Sequence, residues 1–157
     1  MRKQIVLTLT VLALLASTTL TPVHAGLSRS VVANIPFDFT IGKKLLPAGK
    51  YSVSQVFQSS DRALSIRNEN GKGNAMFLVN SAYSVKAASA DKSKLVFRRY
   101  GERYYLAQIW RAGDAIGHQV PISHSERVTV RQLASNATSP KIAQKLAEPT
   151  LVTIVAE

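Results

Sequence analysis

No cysteine occurs among the 157 residues, which excludes a disulfide scaffold, a thiolate metal site and a cysteine nucleophile. Acidic side chains are scarce: nine Asp and Glu stand against 20 Lys and Arg, a formal net charge of +11. There are three histidines and one tryptophan, little material for a histidine-rich metal centre. No apolar run approaches the roughly 20 residues of a membrane-spanning helix. What is present is otherwise ordinary, with 46% hydrophobic residues, and describes one domain with a core, not a disordered, collagen-like or multidomain chain.

The longest apolar stretch, Ile5 to Ala16, is interrupted by Thr8 and Thr10 and preceded by Arg2 and Lys3. Val23-His24-Ala25 ends the segment in the small-x-small form that signal peptidase reads. These parts in this order predict a secretory signal over residues 1–25, cleaved after Ala25, and a single β-rich domain over 26–157. The product is expected in the periplasm or medium. Loss of Arg2 and Lys3 takes the basic count from 20 to 18 against nine acids, so +9 belongs to the domain itself.

Period-two patterning dominates the rest. The odd positions Val31, Ala33, Ile35, Phe37, Phe39 and Ile41 are all apolar, with Asn34, Pro36, Asp38 and Thr40 between them. One face of such a strand is dry and the other wet. Pro36 falls in the wet phase, and its missing N–H points to an edge strand or a bend. Pro47-Ala48-Gly49 reads as a turn into a strand over 51–57. Strands over 63–67 and 75–81 flank a loop containing Asn70-Gly71, a hairpin signal. Lys94 to Tyr100 and Arg103 to Trp110 meet across Gly101-Glu102, a connection that sets Phe97 opposite Leu106, Arg98 opposite Tyr105 and Arg99 opposite Tyr104. A flexible stretch with Gly113 and Gly117 is expected to follow as far as Pro121.

Ser123-x-x-Glu126 has capping-box spacing, with Val130, Leu133 and Ala134 at helical intervals. The alternation Arg127 to Arg131 also admits a strand; the capping signal favours a helix over 123–134. Ser139-Pro140 opens a second short helix to Ala147. Leu151 to Val155 is a β-branched last strand. The fold class expected is mainly β, an antiparallel barrel or sandwich of six to seven strands with one or two short helices near the C-terminus. The strands are too short for an outer-membrane barrel, which needs about 9 to 11 residues per crossing.

Two stretches, Phe37-Asp38-Phe39-Thr40-Ile41-Gly42 with Leu46-Pro47-Ala48-Gly49-Lys50-Tyr51, and Arg99-Tyr100-Gly101-Glu102-Arg103-Tyr104-Tyr105-Leu106-Ala107-Gln108-Ile109-Trp110 with Gly117-His118, resemble a group of small exported bacterial proteins of unknown function. The resemblance spans roughly residues 31 to 124. It implies a signal-bearing β-rich domain and carries no catalytic residue across.

The most chemically suggestive segment is the basic aromatic hairpin. Arg98, Arg99, Arg103 and Arg111 interleave with Tyr100, Tyr104, Tyr105 and Trp110, side chains that together stack on rings and hold anions. The same set also makes an ordinary hairpin, with rings in the core and arginines laid across them. Taken as a binding surface, its expected partners outside the cytoplasm are an anionic polysaccharide, a lipid headgroup or an acidic envelope protein, in preference to nucleic acid. A second set, Asp114, His118, His124 and Glu126, offers oxygen and nitrogen donors for a small hydrolase or metal-dependent enzyme. It lacks any recognised ligand spacing. No Gly-x-Ser-x-Gly elbow accompanies Ser123 or Ser125, and Gly71-x-Gly73 opens no helix after a strand. No cofactor is indicated. A third reading, assembly through a free strand edge, follows from Pro36.

Overall fold

The computed structural model describes residues 30–57, 59–83 and 91–157; the segment read as a signal, residues 1–25, lies outside them. Among the described residues there are eleven strands and two helices. The first half holds β1 (Val31–Ile35), β2 (Phe39–Ile41), β3 (Lys44–Leu46), β4 (Gly49–Phe57), β5 (Ser60–Asn68), β6 (Asn74–Leu78) and β7 (Asn80–Tyr83). The second holds β8 (Lys94–Tyr100), β9 (Arg103–Trp110), β10 (Ile116–Gln119), α1 (His124–Ser135), α2 (Pro140–Ala147) and β11 (Thr150–Val155). One sheet has the order β1-β4-β5-β6; the other runs β11-β8-β9-β10-β7, with β2 beside β9 and β3 beside β2. The two sheets face each other as a sandwich and do not close into a barrel.

All seven expected strands are present, but two are split and two short ones are added. The segment from Val31 to Ile41 keeps its dry face: Val31, Ala33, Ile35, Phe39 and Ile41 are buried and Phe37 is half-buried against them. The strand breaks at Pro36, which can donate no ladder bond and holds its predecessor extended. β1 therefore pairs antiparallel with β4, while β2 pairs with β3 and, in parallel, with β9 in the opposite sheet. Asp38 fastens this corner by accepting the Ala48 N–H at 2.8 Å, which joins it to the Pro47-Ala48-Gly49 turn. The stretch 75–81 also divides, at buried Val79, although the Val79 N–H still bonds Arg62 O at 2.9 Å.

Residues 116–119, expected to be flexible, instead form β10, paired to β9 on one side and β7 on the other. Their sequence, Ile-Gly-His-Gln, hides the strand because its stabilisation comes from packing. A Cβ on Gly117 would sit 2.5 Å from the Trp110 ring, so only glycine lets the indole lie flat on the strand. The hairpin register is the expected one, with Phe97 opposite Leu106, Arg98 opposite Tyr105 and Arg99 opposite Tyr104. Gly101 takes φ +58° in the turn.

The core lies between the sheets. Tyr51, Val53, Leu64 and Ile66 from one meet Phe39, Leu95, Phe97, Leu106 and Ile109 from the other. An edge-to-face contact ties the layers, Phe39 at 5.1 Å from Tyr51, and Phe97 packs in the same manner at 5.2 Å from Phe37 and 5.4 Å from Phe39. The outer face of the second sheet carries α1. Ser123 caps it, its Oγ accepting the Glu126 N–H at 3.1 Å. The returning half of the capping box is not made, because the Glu126 carboxylate turns into the protein toward Arg98. The strand β11 adds to β8 and does not pair with β1; Glu157 reaches that edge, its N–H bonding Val32 O at 2.8 Å.

Candidate functional site

The pleat of the β8–β9 hairpin distributes the basic and aromatic candidates over both faces of the sheet, with Tyr100 buried. Tyr104 turns toward the core and stacks on Phe37 at 3.8 Å. Arg99 lies beside it, 5.5 Å from the Tyr104 ring, donating to Gly101 O at 2.7 Å and to Glu102 at 3.2 Å. Trp110 is buried on the opposite face, its Nε1 donating to Gln108 Oε1 at 3.0 Å. Tyr105 is buried too, and its hydroxyl meets Thr129 Oγ1 of α1 at 2.8 Å. Arg103, exposed near the turn, donates to the same Thr129 oxygen at 2.8 Å. Arg111 is half-buried near His118. These side chains are therefore not brought together as one platform.

Arg98 is the most changed by tertiary structure. It is 8% exposed and forms a two-point ion pair with Glu126, itself 1% exposed, with Nη2 at 3.1 Å from Oε2 and Nε on Oε1. Planar guanidinium and carboxylate match in this forked geometry. Arg98 Nη2 also donates to Val120 O at 3.4 Å. Burial, together with the negative charge of Glu126, pushes the Tyr100 pKa above the ordinary tyrosine value. This network docks α1 on the sheet and leaves Arg98 nothing to offer a ligand.

The second candidate set separates in the same way. Glu126 is spent on Arg98, Asp114 is exposed in the loop before β10, and His124 is exposed at the first turn of α1. His118 is buried on β10. No group of three His, Asp or Glu able to hold a metal occurs among the described residues. Burial and the nearby positive charge of Arg111 hold the His118 pKa below the ordinary histidine value, partly opposed by Asp61 and Asp114. The unfolded chain therefore binds a proton that the folded chain refuses as pH falls through about 6.5. Stability is expected to decline from pH 7.5 toward 5, and a His118→Asn variant should flatten that part of the profile. Parallel denaturant titrations across this range test it; an unchanged slope in the variant would assign the acid sensitivity elsewhere.

Two clefts open on either side of the β2–β3 hairpin, whose tip is Gly42-Lys43. One, of about 710 Å³, lies between this hairpin, the β8–β9 turn and α1, and brings Lys43, Arg103, Tyr104, Tyr105 and His124 to one place. Its two acids are committed: Asp38 to the Ala48 N–H and Glu102 to Arg99. The other, of about 800 Å³, lies between the hairpin and β5–β6. It is lined by Lys43, Lys44 and Arg67, with an apolar floor from Ile41, Ala75 and Phe77 and no carboxylate. Lys44 and Arg67 escape a linear reading because they lie far apart in sequence. The available signal is their phase: Lys43-Lys44 follow the Gly42 turn, and Arg67 occupies the wet side of β5 opposite Asn74. Comparison of the chain with protein-family models, with curated proteins and with solved structures finds no match.

Proposed function

We propose that this chain is an exported, non-enzymatic β-domain that associates, through the basic surface around the β2–β3 hairpin, with an anionic component of the cell envelope. The polysaccharide, lipid-headgroup and acidic-protein partners named above share the needed charge. The same proposal includes the kinship with small exported proteins of unknown function suggested by the Phe37 to Tyr51 and Arg99 to Trp110 motifs. The observation that carries it is the composition of the two clefts: Lys43, Lys44, Arg67 and Arg103 converge there, and none of them forms an ion pair with an acid among the described residues. The hairpin surface narrows to Arg103 beside half-buried Tyr104, since Arg98, Tyr105, Trp110 and most of Arg99 are occupied internally. A hydrolase centred on Asp114, His118 and Glu126 has less support, because Glu126 faces Arg98 under α1.

Binding to phosphatidylglycerol vesicles or polygalacturonate, followed by co-sedimentation, should weaken steadily with added salt, as screening acts on exposed charges. Lys43→Ala and Arg103→Ala should each weaken it about fivefold, the value of one cation near an anionic surface. Retention indifferent to salt and to both substitutions overturns the reading.

A further inference from the structure

We infer that the groove between β6 and the β2–β3 hairpin receives an extended acidic segment of a partner protein, which pairs as an added strand on β6. This rests on the anionic-partner reading and names one class within it. β6 is the last strand of its sheet, and no described strand pairs with its outer side. The bonds from Asn68 N–H to Gly73 O and from Val79 N–H to Arg62 O set the phase of the β5–β6 ladder. Antiparallel pairs alternate between bonded and unbonded. Ala75 and Phe77 therefore spend their backbone groups on β5, and the N–H and C=O of Asn74, Met76 and Leu78 point to the free side.

Natural edge strands are usually blunted by charge, proline or a bulge. Here β6 is regular and carries Met76 and Leu78 at 70% and 71% exposure. Its charge protection stands across the groove, where Lys43 and Lys44 line one wall and Lys44 Nζ reaches Asn74 Oδ1 at 3.0 Å. A segment alternating acidic and apolar residues meets both demands: backbone bonds to β6, apolar side chains over the Ala75 and Phe77 floor, and carboxylates on the Asn74 side, where Lys44 and Arg67 stand. A second copy of this chain is a poor occupant, since pairing two β6 edges would bring like-charged clusters together in a protein of strong net positive charge.

The test titrates the full chain with an end-blocked hexapeptide of alternating glutamate and valine. Binding should slow amide exchange at Met76 and Leu78 and should fall about tenfold in a Lys44→Glu/Arg67→Glu variant. Met76→Pro removes an N–H that points to the free side and leaves the β5 ladder intact, so it should weaken the peptide about fivefold. Should that variant fail to fold, a peptide N-methylated on its pairing edge makes the same test against the unaltered protein, and its binding must fall likewise. Equal binding of the methylated peptide, or unchanged exchange at Met76 and Leu78, overturns strand pairing. Binding of vesicles or polygalacturonate without the peptide also overturns it and leaves the anionic association standing. Failure of all three probes removes both.

Discussion

Replacing Glu126 by alanine is expected to lower the unfolding free energy by about 3–5 kcal/mol, the usual result of leaving one half of a buried ion pair uncompensated. Arg98 reaches from β8 to α1 with its charge met by this single carboxylate. No other acid forms a salt bridge with Arg98 among the described residues. The pair itself need not add net stability, because desolvating both ions offsets much of their attraction. An Arg98→Met/Glu126→Leu double variant should therefore recover most of what the single change loses. Urea titrations of the single and double variants check this. A loss below about 1 kcal/mol for Glu126→Ala, the range of a surface pair, would mean that water reaches Arg98 and that α1 is docked by something else. The same variant should accelerate amide exchange in α1 ahead of the sheets, since local openings follow the least stable contacts.

Truncating Phe97 to alanine should cost a similar amount, about 3–5 kcal/mol, by removing a fully buried ring and leaving a cavity. Phe97 is 0% exposed, makes edge contacts with Phe37 and Phe39 and belongs to the core shared by the two sheets, so its loss opens a cavity there. Phe37→Ala is the internal comparison. That residue is half-buried and stacks on Tyr104 at the rim, and its truncation should cost clearly less. Thermal or denaturant melting with an unchanged denaturant slope would attribute the difference to the folded core. Equal losses at the two positions would show that the sandwich is fastened as strongly at Phe37 as at its centre.

Particular residues show how far the linear chain could be read. The six alternating apolar positions from Val31 to Ile41 predicted the buried face, because side-chain alternation is a local property of an extended backbone. They could not reveal that the two halves pair in different sheets, a choice made by partners many residues away. Gly101-Glu102 fixed the hairpin register for a similarly local reason: a tight turn leaves little freedom to its flanks. Ser123 signalled the start of α1, whereas its expected capping partner Glu126 was drawn to Arg98, 28 positions earlier. The strand at 116–119 was illegible because it consists of one glycine under an indole and pairing on both sides.

The candidate site was less legible than the fold. Basicity was evident from composition, and the hairpin was its most visible concentration. Burial then withdrew Arg98, Tyr105 and Trp110, and folding assembled Lys43, Lys44 and Arg67 instead. By itself, the sequence determined a mainly β fold, a barrel or a sandwich, with one or two short helices late in the chain, the buried face of its first strands, the hairpin register and the excess of positive charge. Those properties follow from alternation, turn chemistry and residue counts, which act over a few neighbours or need no geometry. Tertiary structure alone decided which cations remain available and which strand edge is open, because an ion pair or a ladder bond depends on a partner that only the folded chain brings within reach.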